Sequence, residues 1–268
     1  MKIAIIGGPF YWKLWGIEPE KIQIETPYGK PADFLFKGAV GQHEAITLLR
    51  HGAQNEFSLS EMPYLANVFA IGTFKPDFVI HVTLCGAFKK TGKVGDLFLF
   101  DQLIDWTKSR PYTFGKPLFD KVHHFNFGSP ISSELLTFAH QILTKKKIKH
   151  HFKGTMLTEE GPRFCTAAEA KMFRILGADA LNMTSCPEIY LLRELGLPVL
   201  AISLITNIVK KDSCIESEEI TANVANFRMV IPSTIKLLIE HLPKNIELTN
   251  PKVSMYNIKK FDLHHFGK

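Results

Sequence analysis

Short, nearly unbroken apolar runs punctuate the chain at 2–7, 33–37, 45–50, 77–83, 96–104, 152–158, 179–184 and 198–206. Their apolar character is continuous rather than alternating, which predicts strands buried on both faces of a sheet. Helical segments are predicted at 60–74, 132–147, 166–176, 187–196 and 216–242. The last opens on Ser217-Glu218-Glu219, a capped start, and contains Pro232, which predicts a kink or break. Strands alternating with helices, with no linker and no internal repeat, predict one α/β domain over residues 1–268 with a mixed central sheet. Residues 244–268 are polar and aromatic, and read either as a docked terminal helix or as a tail.

Composition narrows the class. The 268 residues are 46% apolar and carry 32 basic against 26 acidic side chains, with Gly and Pro (18 and 15) in ordinary proportion. This excludes collagen-like, low-complexity and disordered chains. No apolar run approaches the ~18 residues of a membrane span. Met1 leads straight into Ile3-Ala4-Ile5-Ile6 without a basic leader or cleavage site, so a core strand and a cytoplasmic protein are expected. The cysteines (Cys85, Cys165, Cys186, Cys214) are widely spaced and are expected to be reduced thiols. The net charge of +6 has one dense cluster, Lys145-Lys146-Lys147 with Lys149, His150 and His151. Without interleaved aromatics it reads as a solvated helix end rather than a nucleic-acid surface.

The candidate chemistry lies at strand ends. Arg50-His51, Thr83, Asn182-Met183-Thr184 and Thr206-Asn207 each follow or end a predicted strand, and ligands of open α/β sheets bind outside the carboxyl ends of the strands. Familiar loops are missing. Gly7-Gly8 continues as Pro9-Phe10-Tyr11-Trp12, which is neither a dinucleotide nor a P-loop signature, and no GxSxG, HExxH or kinase motif occurs. His123-His124 and His264-His265 are adjacent pairs whose side chains diverge, so no metal site is expected.

Several blocks occur in a specific order: Arg50-His51-Gly52, Thr83-Leu84-Cys85-Gly86, Asp101-Gln102-Leu103-Ile104-Asp105, Lys153-Gly154-Thr155, Glu160-Gly161-Pro162-Arg163-Phe164, Asn182-Met183-Thr184 with Pro187-Glu188, and Ser203-Leu204-Ile205-Thr206-Asn207. In this order they resemble the trimeric purine nucleoside phosphorylases, nearest the methylthioadenosine and methylthioinosine phosphorylase branch. The resemblance runs from residue 2 to about 242. It implies a nucleoside phosphorylase-like α/β fold with a distorted sheet, a homotrimer, and a pentosyltransferase of purine salvage. The reaction it implies is phosphorolysis of a purine nucleoside to free base and pentose 1-phosphate, with inorganic phosphate as co-substrate and no cofactor. Such chemistry needs an anion beside a cationic sugar and donors for the charge developing on the purine.

By the same resemblance, Arg50, His51, Thr83 and Thr184 match phosphate contacts. Met183 matches the residue against the ribose, Phe164 and Cys165 the base pocket, and Thr206 and Asn207 the contacts to the six-membered ring and N7. Arg50 and Asn207 would carry catalysis. His124 matches the histidine that reaches a neighbouring subunit's pocket, and Ser217, Ile220 and Val224 approach the 5′ end.

The chain also departs from the branch. Two aspartates are replaced by Asn207 and Val209, which points to 6-oxopurines such as inosine or 5′-methylthioinosine. Guanine-accepting members carry Glu where Cys165 stands. A hydroxyl of the first glycine loop is replaced by Pro9, and a second histidine by Asn55. These last two differences leave a nucleoside-binding protein without phosphorolysis, or a hydrolase, as alternatives.

Overall fold

The protein is described here from a computed structural model. The described residues are 1–8, 18–88, 90–116, 118–119, 124–210, 217–243 and 246–249.

The strands are β1 (Lys2–Gly7), β2 (Glu20–Ile22), β3 (Leu35–Val40), β4 (His43–Leu49), β5 (Phe78–Ala87), β6 (Leu97–Leu99), β7 (Gln102–Trp106), β8 (His150–Phe152), β9 (Thr155–Glu159), β10 (Ala180–Asn182) and β11 (Val199–Ile208). The helices are α1 (Tyr64–Thr73), α2 (Ser133–Lys145), α3 (Ala167–Ile175), α4 (Glu188–Glu194), α5 (Ser217–Asn226) and α6 (Val230–Glu240). All eleven strands join one mixed sheet. β5 is its hub and is buried along most of its length, which is why β5 and β11 read as uninterrupted apolar runs. Helices flank this sheet, with α2, α4 and α5 against β11 and α6 against β3. No helix among the described residues is long and apolar enough to cross a membrane.

The sheet forks at β5. One branch runs through β10 and β9 to β7, the other through β11 and β6 to β8. The predicted strands 96–104 and 152–158 each break in two to bridge the branches. They break at the same level: Gly154 donates to Asp101 Oδ1 at 2.9 Å, and its carbonyl accepts from the Asp101 and Gln102 amides. Lys153 and Gly154 turn there with positive φ. β6 and β8 pair in parallel before the step, and β7 and β9 after it. Runs of apolar residues conceal such a step, because β6 and most of β9 are buried and the half-buried strands β7 and β8 adjoin them across only short polar interruptions at residues 101–102 and 153–154.

Two other differences are local. β2 is a short, polar edge strand with no apolar run to announce it. The predicted helix 216–242 breaks at residues 227–229, ahead of Pro232. Pro232 falls in the first turn of α6, where its missing N–H would have had no intrahelical acceptor. Of the segment 244–268, the described residues 246–249 have no regular structure. Ile246 and Leu248 pack on the core and Thr249 donates to Glu134 at 2.6 Å.

Candidate active site

β1 and β10 approach the same edge of β5 from opposite ends. β1 pairs in parallel from Ile3↔Phe78 to Ile6↔His81, whereas β10 pairs only at Leu181↔Gly86 and Ala180↔Ala87. Residues 82–85 therefore have no ladder partner on that edge. A cavity of about 490 Å³ opens there, within the size range of small-molecule sites.

One end of the cavity gathers hydroxyls. Thr83 Oγ1 and Thr184 Oγ1 lie 2.8 Å apart, one on β5 and the other just beyond β10. Asn182 organises them: its Nδ2 donates to Thr83 Oγ1 at 3.3 Å and to Ser185 Oγ at 2.6 Å, while its Oδ1 accepts from Thr158. The Thr83 hydroxyl accepts from Asn182 and donates to the Leu84 carbonyl at 3.1 Å, so it gives its proton to a bound anion by rotating away from that carbonyl.

Arg50 and His51 line the same end. Burial and then the Arg50 charge lower the His51 pKa, so the ring is neutral near pH 7. Its Nδ1 lies 2.9 Å from the Phe57 carbonyl and must donate to it, which leaves Nε2 as an acceptor.

Arg50, expected to contact phosphate, is largely taken up by protein acceptors. Its Nε and Nη2 donate to both oxygens of Glu188, Nη1 donates to the Val82 carbonyl at 2.8 Å, and Nη2 reaches the Ile6 carbonyl. His81 Nε2 adds a contact to Glu188 Oε2 at 2.9 Å. Burial alone would raise the Glu188 pKa, but Arg50 and His81 outweigh it and hold the carboxyl at about 2. Of the five guanidinium N–H groups, one on Nη1 has no acceptor among the described residues.

The other end is built by a bulge in β11. Ile205 opposes Cys85 and Asn207 opposes Gly86, so Thr206 is the inserted residue. A bulge re-aims side chains, and here Thr206 and Asn207 both line the cavity. Thr206 Oγ1 lies 3.2 Å from the Cys85 carbonyl and 3.3 Å from Asn207 Oδ1. Asn207 Nδ2 donates to nothing among the described residues. A Cβ at Gly86 would fall 2.9 Å from that nitrogen, so glycine there keeps the amide in place.

Phe164, Met183, Ile220 and Val224 complete the apolar walls. Met183 is pinned by the EGPRF turn: Gly161 has φ +65°, and a Cβ there would meet Met183 Sδ at 2.7 Å.

Several expected residues lie elsewhere. Cys165 packs beside the small cluster of Phe88, Leu157, Phe173 and Val209 and does not line the cavity. Burial and then the Glu159 charge push its thiol up to about 11. His124 is exposed and also outside the lining, as is Ser217. Asn55 lines the cavity in a left-handed conformation (φ 62°). Pro9 with its neighbours Phe10, Tyr11 and Trp12, and likewise Trp15, His123, Cys214 and His264-His265, lie outside the described residues.

Other site residues escaped the sequence reading. Arg110 is buried and donates to the carbonyls of Met183 (2.7 Å), Cys186 (2.6 Å) and Glu160 (2.6 Å). It thereby ties the NMT and EGPRF loops together. Glu159, at the end of β9, lines the cavity. Burial, reinforced by Glu169 and opposed by Arg163, pushes its carboxyl up to about 7. An Arg in a loop and a Glu beside a motif carry no local mark of burial, so neither stood out.

Comparison with known proteins identifies the family and the fold. A sequence model of the phosphorylase superfamily matches residues 4–240. An S-methyl-5′-thioadenosine phosphorylase from Pyrococcus furiosus is 34% identical over 245 residues, 91% of this chain and 93% of its own. A probable 6-oxopurine nucleoside phosphorylase from Dictyoglomus turgidum is 38% identical over 208 residues, 77% of this chain and 78% of its own. The solved methylthioadenosine phosphorylase of Schistosoma mansoni in complex with adenine superposes with a TM-score of 0.83 at 26% identity, covering 89% of this chain and 91% of that one.

Proposed function

The chain belongs to the phosphorylase superfamily, and from that premise we propose that it is an enzyme that cleaves purine nucleosides with inorganic phosphate. It releases the free base and a pentose 1-phosphate, and it prefers 6-oxopurines such as inosine or 5′-methylthioinosine. One observation supports this reading: a single cavity has the paired hydroxyls of Thr83 and Thr184 at one end and, at the other, an amide donor on Asn207 that no described residue uses.

Phosphate sits at the hydroxyl end. The Thr83 and Thr184 hydroxyls and the remaining Arg50 N–H donate to its oxygens. His51 Nε2, an acceptor, takes the hydrogen of a monoprotonated phosphate, which orients the anion with its charged oxygens toward C1′ of the sugar. Met183 holds the pentose and Phe164 the purine face. As the C1′–N9 bond breaks, its electron pair goes to the base and a phosphate oxygen bonds to C1′. Asn207 Nδ2 donates to O6, N7 takes a proton from solvent, and the Asn207 carbonyl accepts from that N7–H. The phosphate hydrogen passes by way of His51 to solvent. Fixed donors aimed at developing charge lower the barrier directly. Phosphate is the co-substrate, and no further cofactor enters this reading.

Assembly as a cytoplasmic homotrimer belongs to the same proposal. Trp106 on edge strand β7 and Ile175 and Leu176 at the end of α3 are exposed, and apolar surface of this kind suits a subunit contact. His124 is exposed and outside the lining of its own cavity, which supports the same reading. A stable, fully active monomer or dimer in sedimentation would overturn the trimer.

The reaction is tested by titrating rate against phosphate at saturating inosine and identifying the sugar product. Saturable phosphate dependence with ribose 1-phosphate is expected. Free ribose formed without phosphate would make the protein a hydrolase, and inosine bound without turnover would make it a binding protein.

A further inference from the structure

We infer that Glu159 is a specificity-determining residue that reads the N1 edge of the purine, taking its N1–H when the base is a 6-oxopurine. The inference rests on the reading of the cavity as a purine site and goes beyond it by naming a second contact to the base.

Glu159 ends β9, opposite Trp106 of β7. Alternation along the strand puts it on the same face as Leu157, and Leu157 packs with Val209 and Cys165. That is the base end of the cavity: Val209 and Asn207 both crowd Gly86, and Phe164 lines the same wall. The residue is 7% exposed and borders the cavity, yet its carboxylate makes no hydrogen bond among the described residues. Its oxygens open onto the cavity, so what fills the cavity supplies their donors, and a base that offers an N–H there is favoured over one that offers a lone pair.

The surrounding groups fit that role. Arg163, the nearby cation, is taken up by Glu169 through two hydrogen bonds of 2.6 and 2.7 Å. Cys165 remains a neutral thiol. Arg50, His51 and Arg228 also line the cavity, and Arg50 is committed to Glu188. Arg110 touches Glu159 only at its backbone carbonyl, at 3.4 Å, and is otherwise taken up by the Met183, Cys186 and Glu160 carbonyls. The Glu159 carboxylate makes no ion pair among the described residues, and it is held up to about 7 by burial first and by Glu169 second.

The consequences follow from purine chemistry. Hypoxanthine and guanine carry a hydrogen on N1, and guanine adds a 2-amino group, so an ionised Glu159 accepts from them. Adenine presents a bare N1 lone pair, which an ionised carboxylate repels and a protonated one can hydrogen-bond. Selectivity for 6-oxopurines over 6-aminopurines therefore rises as pH passes upward through about 7, and guanosine is accepted although Cys165 stands where a Glu is usual.

The test measures kcat/KM for inosine, guanosine and adenosine from pH 5.5 to 9 in the wild type and in Glu159→Gln and Glu159→Ala. Direct titration of hypoxanthine and adenine binding accompanies it. Glu159→Ala is expected to lose about tenfold to a hundredfold on inosine and guanosine, less on adenosine, with the phosphate KM unchanged. In Glu159→Gln, whose amide both donates and accepts, the inosine-to-adenosine ratio should become flat with pH. A wild-type ratio that is already flat, or folded variants that match the wild type on all three nucleosides, would overturn the inference. So would failure of the wild type to bind either base. If no nucleoside turns over but hypoxanthine binding still depends on Glu159 and pH, the inference stands and the phosphorolysis reading falls.

Discussion

Glu188, at the start of α4, meets Arg50 from 138 residues away in two parallel hydrogen bonds, Nε to Oε1 at 2.9 Å and Nη2 to Oε2 at 2.8 Å. The side chains are 2% and 0% exposed. The pair is therefore a neutral, dehydrated unit behind the hydroxyl end of the cavity, and Arg50 contributes a directed N–H there rather than a free positive charge. A planar, bidentate partner also fixes the guanidinium in one orientation.

Removing one partner should unfold the site from behind. Glu188→Ala leaves Arg50 buried and unpaired, which costs about 3–5 kcal/mol. Urea denaturation should show that loss, with a smaller one for Glu188→Gln, whose carbonyl still accepts. A loss below about 1 kcal/mol in the alanine variant would contradict the pairing.

Acid sensitivity follows from the same carboxyl. Its folded pKa, about 2, lies below its ordinary 4.5, so its stabilisation is complete above 4.5 and drains away as pH falls toward 2. Stability measured from pH 6 downward should fall less steeply in Glu188→Gln than in the wild type.

The hydroxyl pair should act on phosphate alone. Thr184→Val removes one neutral donor, worth about 1 kcal/mol, so the phosphate KM should rise roughly fivefold with the inosine KM unchanged. Arg50→Ala should abolish most phosphate-dependent turnover and also lower the melting temperature, because it strands Glu188. A rise confined to the inosine KM in Thr184→Val would place the anion elsewhere.

Base preference should follow Asn207. Inosine should exceed adenosine in kcat/KM by roughly tenfold to a hundredfold, the cost of one or two mispaired polar groups at about 1–3 kcal/mol. Asn207→Asp should shift the ratio toward adenosine. Equal or better rates on adenosine in the wild type would refute the role of the amide.

Arg110 should hold both motif loops. Arg110→Ala strips donors from the Met183, Cys186 and Glu160 carbonyls and should cost about 3 kcal/mol of stability. It should raise the inosine KM more than the phosphate KM, since the loops it joins carry Met183 and Phe164. Arg110→Lys should recover little, because an ammonium cannot span the carbonyls as the planar fork does.

Much of the architecture and half of the chemistry were readable in the residues themselves. Continuous apolar runs with polar ends marked the strands and the edge where ligands gather, because burial demands apolarity and a polar strand end demands a partner. Arg50, His51, Thr83, Thr184, Met183, Phe164, Thr206 and Asn207 all border one cavity. What the chain order could not express were relationships between groups far apart in sequence. Glu188 neutralises Arg50, Arg110 crosses two loops, Asp101 and Gly154 break two strands at one level, and the β11 bulge turns Asn207 inward. Glu159 is the plainest case. Its identity is local, but its burial, its missing partner and its raised pKa arise only when β9 folds against the Asn207 end of the cavity, since dehydration and the field of neighbouring charges exist only in the folded chain.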